Sequence, residues 1–188
     1  MLLSAERAAA GHVRVYRGAT VVDGTGAARY TADVAVEGAR IVAILGAGSD
    51  VPDLELPDGA VEIEASGLVL APGFIDMHAH SDLAVLRGAA HEAKIRQGVT
   101  TEVLGQDGLG YAPLDDASAA VIPAQIAGWN GTPDEVPWRT MDDLLSAIDA
   151  AAVANAAVLV PQGNLRMMVV GHENRAATPR EIAAMADL

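Results

Sequence analysis

LVLAPGFIDMHAH, residues 68–80, decides how the chain is read. An apolar run breaks at Pro72-Gly73, resumes with Phe74-Ile75 and ends in two histidines one residue apart, His78 and His80. Alternate residues of a strand face the same way, so both imidazoles at this strand end reach toward one metal ion. The Pro-Gly break and the change of pattern around it mark the start of a new structural unit.

Downstream the pattern runs strand, helix, strand. LVLAPGFIDMH reads as the first strand, AHEAKIRQ stopped by Gly98 as a short helix, and VTTEVLG as the second strand. A long segment containing glycine and proline, Gln106 to Arg139, intervenes. Thr140 then caps MDDLLSAIDAAAVAN, with Asp143 three residues on. Met141, Leu144, Leu145 and Ile148 share one face of that helix and predict packing against a sheet. AAVLVPQGN reads as the third strand, and such alternation implies parallel strands joined by crossovers.

Upstream, HVRVY, ATVVD, ADVAVEG and RIVAIL are split by Gly18, Asp23-Gly24 and Gly38. This spacing predicts an antiparallel sheet of hairpins. After a Pro, Asp and Gly cluster from Gly46 to Gly59, VEIEA predicts another strand with Glu62 and Glu64 pointing outward. The expected units are residues 1–66 and 67–188. Thr178-Pro179-Arg180-Glu181 opens a helix shortly before Leu188, so the second unit is expected to be the truncated start of a larger fold.

With 188 residues of which 51% are hydrophobic, the chain can bury a substantial core. Its formal charge is −13, and the single lysine and eleven scattered arginines form no basic patch, so nucleic acid is not an expected partner. No long apolar run suggests a membrane span, and a soluble, cytoplasmic protein is expected. The absence of cysteine excludes disulfides, thiolate zinc sites and cysteine nucleophiles, which leaves nitrogen and oxygen to hold any metal.

Neutral imidazoles bind zinc well, and a zinc hydrolase needs further ligands plus an open position. Asp107 follows the second strand and would stand on the same rim as His78 and His80; the alternative is that Asp107-Gly108 is only a turn. His12, His91 and His172 are expected to be solvated. Asp76 shares a face with the histidine pair and either orients a ligand or is a buried, hydrogen-bonded carboxylate. Asp82 and Arg87 read as solvated residues. Arg166, in GNLRMMVVG, could clamp a substrate carboxylate, with a structural ion pair as the competing reading. Gly105, Gly108 and Gly110 do not have the spacing of a dinucleotide fingerprint.

Four stretches in this order, VVDGTGAARYTADVAVEGARIVAI, GLVLAPGFIDMHAHSD, KIRQGVTTEVLGQDGLGYAPL and VLVPQGNLRMMVVG, resemble the N-terminal third of the N-acyl-D-amino-acid deacylases (D-aminoacylases) of the amidohydrolase superfamily. The resemblance implies an α/β fold: the first three strands of a metal-dependent (β/α) TIM-type barrel, preceded by a small β-sandwich. It also implies hydrolysis of the linear amide C–N bond of a small molecule, an N-acyl-D-amino acid, with zinc as cofactor in the form of one or two divalent ions. His78 and His80 match the family's first metal-ligand pair. Asp107 stands where many members carry cysteine in a Gly-Asn-Cys-Gly loop, and a carboxylate is the harder ligand. Gln162 stands where members often have histidine.

The family's two later histidine ligands and its catalytic aspartate have no counterpart here. No catalytic residue is therefore expected within these 188 residues, and little deacylase activity from them alone. Two alternatives stand beside this reading. One is a cyclic amidohydrolase of the hydantoinase or dihydroorotase kind, which would need a carboxylated lysine on a later strand, whereas Lys94 lies early. The other is a non-catalytic truncated product acting as a binding or assembly module through an open sheet edge. The oligomeric state is left open.

Overall fold

The valine-rich start forms one long strand where the sequence suggests two. In the computed structural model, which describes residues 13–46 and 58–188, β1 (Val13–Val21) runs straight through Gly18. It pairs antiparallel with β2 (Tyr30–Glu37), and Arg17 with Gly18 together oppose Asp33, which is a bulge. Asp33 holds that bulge by accepting from the Gly18 N–H and from Arg17 Nη1, each at 2.7 Å. Arg17 Nε also donates to Glu62 at 2.7 Å, so Glu62 is paired rather than merely outward.

β3 (Arg40–Gly46) continues the antiparallel hairpin, whereas β4 (Val61–Glu64) and β5 (Val69–Leu70) both lie parallel to β1. The first sheet is thus mixed, in the order β3-β2-β1-β4 with β5 also on β1, and not purely a sheet of hairpins. Val13, Val15 and Ala35 form one buried cluster and Val21, Ala32 and Val34 another. His12 and most of the Gly46–Gly59 cluster lie outside the described residues.

LVLAPGFIDMH is two strands, not one. Val69 and Leu70 stay with the first sheet as β5, and only β6 (Phe74–Asp76) enters the second. The Pro-Gly step separates them, because proline cannot donate to a ladder and ends pairing there. Residue contacts accordingly divide the chain between Pro72 and Gly73, later than the sequence reading placed the change.

In the second unit β6, β7 (Val99–Leu104) and β8 (Asn155–Val158) form a parallel sheet in that order. The expected helix AHEAKIRQ is reduced to a 3₁₀ turn at Ile95–Gln97, closed by Gly98, with a second 3₁₀ segment at Val85–Ala90. Between β7 and β8 the long segment contains two helices that the sequence reading did not anticipate, α1 (Asp116–Ala119) and α2 (Ile122–Asn130). Pro123 and Gly128 disguise α2. Proline in a first turn loses no intrahelical bond, and the fully buried Ile122 and Ile126 supply the apolar face.

α3 (Met141–Ala151) starts at Thr140 as the sequence predicts. Thr140 Oγ1 accepts from the Asp143 N–H, and the Asp143 carboxylate accepts from the Thr140 N–H. Its Leu144 and Ile148 pack with Ala79, Val85, Leu104 and Ala112. α4 (Gln162–Val169) follows β8, and α5 (Pro179–Ala186) opens at Thr178 with Glu181 completing the capping box. Among the described residues no helix is long and apolar enough to cross a membrane.

Candidate metal centre

Past Asp76 the chain keeps running beside β7, because the Ala79 N–H donates to the Val103 carbonyl at 3.1 Å. Ala79 is buried in the core, so the residues on either side of it, His78 and His80, turn away from that core. At the end of β7, Gly105-Gln106-Asp107 curls back toward them. Gln106 Nε2 ties this turn down by donating to the carbonyls of Met77 at 2.9 Å and Val103 at 3.0 Å.

The turn needs Gly105. Its φ is +72°, and an added Cβ would lie 2.4 Å from the Leu159 carbonyl oxygen. Gly105→Ala is expected to lower stability by more than the roughly 1–2 kcal/mol of a left-handed alanine alone. Urea unfolding checks this, and a loss below about 1 kcal/mol, less than a left-handed alanine alone would cost, would refute it. Asp107 itself sits at φ +61°, the only non-glycine with positive φ among the described residues. Aspartate tolerates this region better than most residues, and such strain gathers where side-chain placement matters.

The turn delivers Asp107 to the histidine pair. His78 Nε2 and His80 Nε2 are 3.3 Å apart. Asp107 Oδ1 lies 3.6 Å from the first and Oδ2 3.1 Å from the second. Ligands at zinc-like bond lengths of about 2.0–2.1 Å in a tetrahedron stand roughly 3.3 Å apart, so the three side chains have the spacing of one ion's donors. The donor set is two borderline nitrogens and one hard oxygen, which suits zinc and its divalent neighbours. His80 is the better fixed of the pair: its Nδ1 lies 3.1 Å from Asn130 Oδ1, and its side chain is 26% exposed against 59% for His78.

Beneath the pair lies a run of charges that the sequence reading did not assemble. Asp76 Oδ1 accepts from the His78 N–H at 3.2 Å, and Lys94 Nζ reaches Asp76 at 2.6 Å and Glu102 Oε2 at 2.7 Å. The second of these contacts is an ion pair by distance rather than a well-directed hydrogen bond. Glu102 is fully buried on β7, with His91 Nε2 2.7 Å from its other oxygen. His91 is therefore not solvated as expected; it is held by a buried carboxylate. Burial pushes the Glu102 carboxyl up, but Lys94, Ser81 and His91 outweigh it and hold it below the usual range. Burial pulls Lys94 down, and its two carboxylates more than reverse that.

Asp82 is likewise buried rather than solvated, since its Oδ1 accepts from the Gly105 N–H at 3.0 Å. Burial pushes its carboxyl above the usual range. Arg87 is exposed, as is His172. Arg166, read as a possible substrate clamp, lies on α4 with Nη2 donating to the carbonyls of Glu173 and Arg175. Among the described residues it makes no hydrogen bond to the histidine cluster, and its visible work is to fix the loop after α4. Gln162 opens α4. Two residues further on, the fully buried Asn164 accepts from the Gly110 N–H and donates to the carbonyls of Gly110 and Pro113, clamping the loop after Asp107. Asn130, Asn164 and the Lys94–Glu102–His91 group were missed. A lone glutamate within the apolar strand VTTEVL was the one usable signal, since a charge there needs partners.

A parallel sheet with a His-x-His pair at one strand end and a carboxylate at the next defines a class, and the chain belongs to the amidohydrolase family, whose profile matches residues 61–188. It is 40% identical over 172 residues to the D-aminoacylase of Alcaligenes xylosoxydans xylosoxydans, covering 91% of this chain and 33% of that protein. The N-acyl-D-aspartate deacylase of the same organism is also 40% identical, over 93% of this chain and 33% of its own length. The solved N-acyl-D-glutamate deacylase of Bordetella bronchiseptica, complexed with zinc and a phosphonate inhibitor, superposes with a TM-score of 0.75 at 32% identity, over 93% of this chain and 34% of that one. The chain thus spans about a third of the length of the curated relatives it matches.

Proposed function

We propose that this chain contributes the first metal-binding part of an enzyme that hydrolyses the linear amide of an N-acyl-D-amino acid. The observation that carries the reading is the convergence of His78, His80 and Asp107, all within 4.8 Å of one another, at the ends of adjacent parallel strands. The similarity to D-aminoacylases supports the substrate class. β6, β7 and β8 are the first three staves of a (β/α) barrel in this reading; the exposed apolar Phe74 and Ile75 on β6 are what a further layer would cover. The preceding mixed sheet is the start of the accompanying β-sandwich.

His78 and His80 would hold the ion through Nε2 and Asp107 through a carboxylate oxygen. When bound, zinc supplies Lewis acidity toward an amide carbonyl and activation of water. This chain's own residues then position: Asp76 holds the His78 backbone, Asn130 lies within hydrogen-bond distance of His80 Nδ1, and Gln106 fixes the turn that carries Asp107. Lys94 does not support the cyclic amidohydrolase alternative, because it is committed as an ammonium between Asp76 and Glu102.

The test joins this segment to the remaining two thirds of the 40%-identical D-aminoacylase. The chimera is expected to bind zinc and to release D-amino acids from N-acetyl-D-amino acids but not from their L-enantiomers. A folded, zinc-loaded chimera without that turnover would sink the proposal and favour a non-catalytic module.

A further inference from the structure

We infer that Asn130 is a positioning residue that fixes the proton of His80 on Nδ1 and so aims the Nε2 lone pair at the metal position; the inference rests on the metal reading of His78, His80 and Asp107. The Asn130 Oδ1 to His80 Nδ1 separation is 3.1 Å. An imidazole that ligates through Nε2 carries its proton on Nδ1, and that proton needs an acceptor. Among the described residues Asn130 Oδ1 is the only hydrogen-bond partner of that nitrogen.

Two further facts separate this from incidental packing. Asn130 is 5% exposed, and its Nδ2 is buried without a hydrogen-bond partner. An unpaired buried amide donor costs roughly 1–3 kcal/mol, so the residue is a poor choice for filling space and a good one for presenting an acceptor. Asn130 is also held rigidly. It is the last residue of α2, whose Ile122 and Ile126 are wholly buried, and the next residue, Gly131, receives the Tyr111 hydroxyl on its carbonyl at 2.8 Å. Trp129 forms a second wall, edge-on to the His80 ring at 6.4 Å between centroids. His78 has no such support, because its Nδ1 makes no hydrogen bond among the described residues.

The experiment compares the full chain with Asn130→Leu, Asn130→Asp and His80→Ala, using Zn²⁺ alone as probe. Asn130→Leu is expected to weaken zinc binding about 10–100-fold, the usual effect of losing a ligand's hydrogen-bond partner, and Asn130→Asp to stay within about threefold of wild type because it keeps the acceptor oxygen. In ¹⁵N-labelled, zinc-loaded protein, a slowly exchanging Nδ1–H signal, assigned by its loss in His80→Ala, should be present in wild type and Asn130→Asp and absent in Asn130→Leu. Melting of the metal-free variants separates misfolding from lost affinity, and if Asn130→Leu does not fold, the aspartate variant and the wild-type signal decide. Unchanged affinity in a folded Asn130→Leu, loss in Asn130→Asp equal to that in Asn130→Leu, or no protected Nδ1–H in zinc-loaded wild type would overturn the inference. Failure of wild type itself to bind zinc would instead overturn the metal reading beneath it.

Discussion

His80→Ala should weaken zinc binding by more than about 100-fold, beyond the 10–100-fold typical of losing only a ligand's supporting partner. Three donors stand at separations of 3.1, 3.3 and 3.6 Å, and among the described residues no further histidine or carboxylate joins them to replace the missing one. Of the two histidines, His80 is the one already placed before metal arrives, between Asn130 and Trp129. His78 is more exposed and gives up more side-chain freedom on binding, so part of its attraction to the ion is offset by ordering. His78→Ala is therefore expected to cost somewhat less than His80→Ala. Competition titration against a zinc indicator reads both, with metal-free melting curves as the folding control. A dissociation constant for His80→Ala within about threefold of wild type would remove His80 from the ligand set.

How much of this was legible in the sequence follows from which interactions are local. The caps at Thr140 and Thr178 were readable because each is closed by a residue three positions on, Asp143 and Glu181. The parallel order of β6, β7 and β8 was readable from alternation of apolar runs with helical ones. His78, His80 and Asp107 were readable as one rim because each follows a strand of that sheet. What escaped depends on distant partners. Asn130 meets His80 across 50 residues, and Asn164 meets Gly110 across 54, with nothing in either neighbourhood to announce the other end. His91 looked solvated because its neighbours in sequence are polar; its real neighbour is Glu102, on the strand that follows. The first sheet misled for a related reason. Hairpin spacing predicts antiparallel pairs between successive strands, but β4 and β5 pair in parallel with β1, a strand separated from them in sequence by β2 and β3.

Lys94→Met should be among the most destabilising single changes outside the apolar core, at about 2–4 kcal/mol. Breaking a buried ion pair by removing one partner costs about 3–5 kcal/mol because the other charge stays buried, and the 27% exposure of the Lys94 side chain argues for the lower part of that range. Glu102 is the charge left behind; its side chain is 1% exposed, so water cannot take the place of the ammonium. His91 remains on one oxygen and limits the damage. The double variant Lys94→Met, Glu102→Leu removes both charges, and it should be more stable than Lys94→Met alone despite carrying more substitutions. Asp76, at 31% side-chain exposure, can hydrate once Lys94 is gone, so it does not reverse that ordering. The pH dependence has a matching sign. Glu102 is held below its usual 4.5, so its contribution is complete above that value and fades as pH falls through the lower, folded-state value. Lys94 is held above its usual 10.5, so its contribution is complete below that value and fades as pH rises beyond it. Urea unfolding of wild type should therefore show acid loss of stability that the double variant lacks in part. A double variant less stable than Lys94→Met would mean that the charges are not coupled as their distances imply.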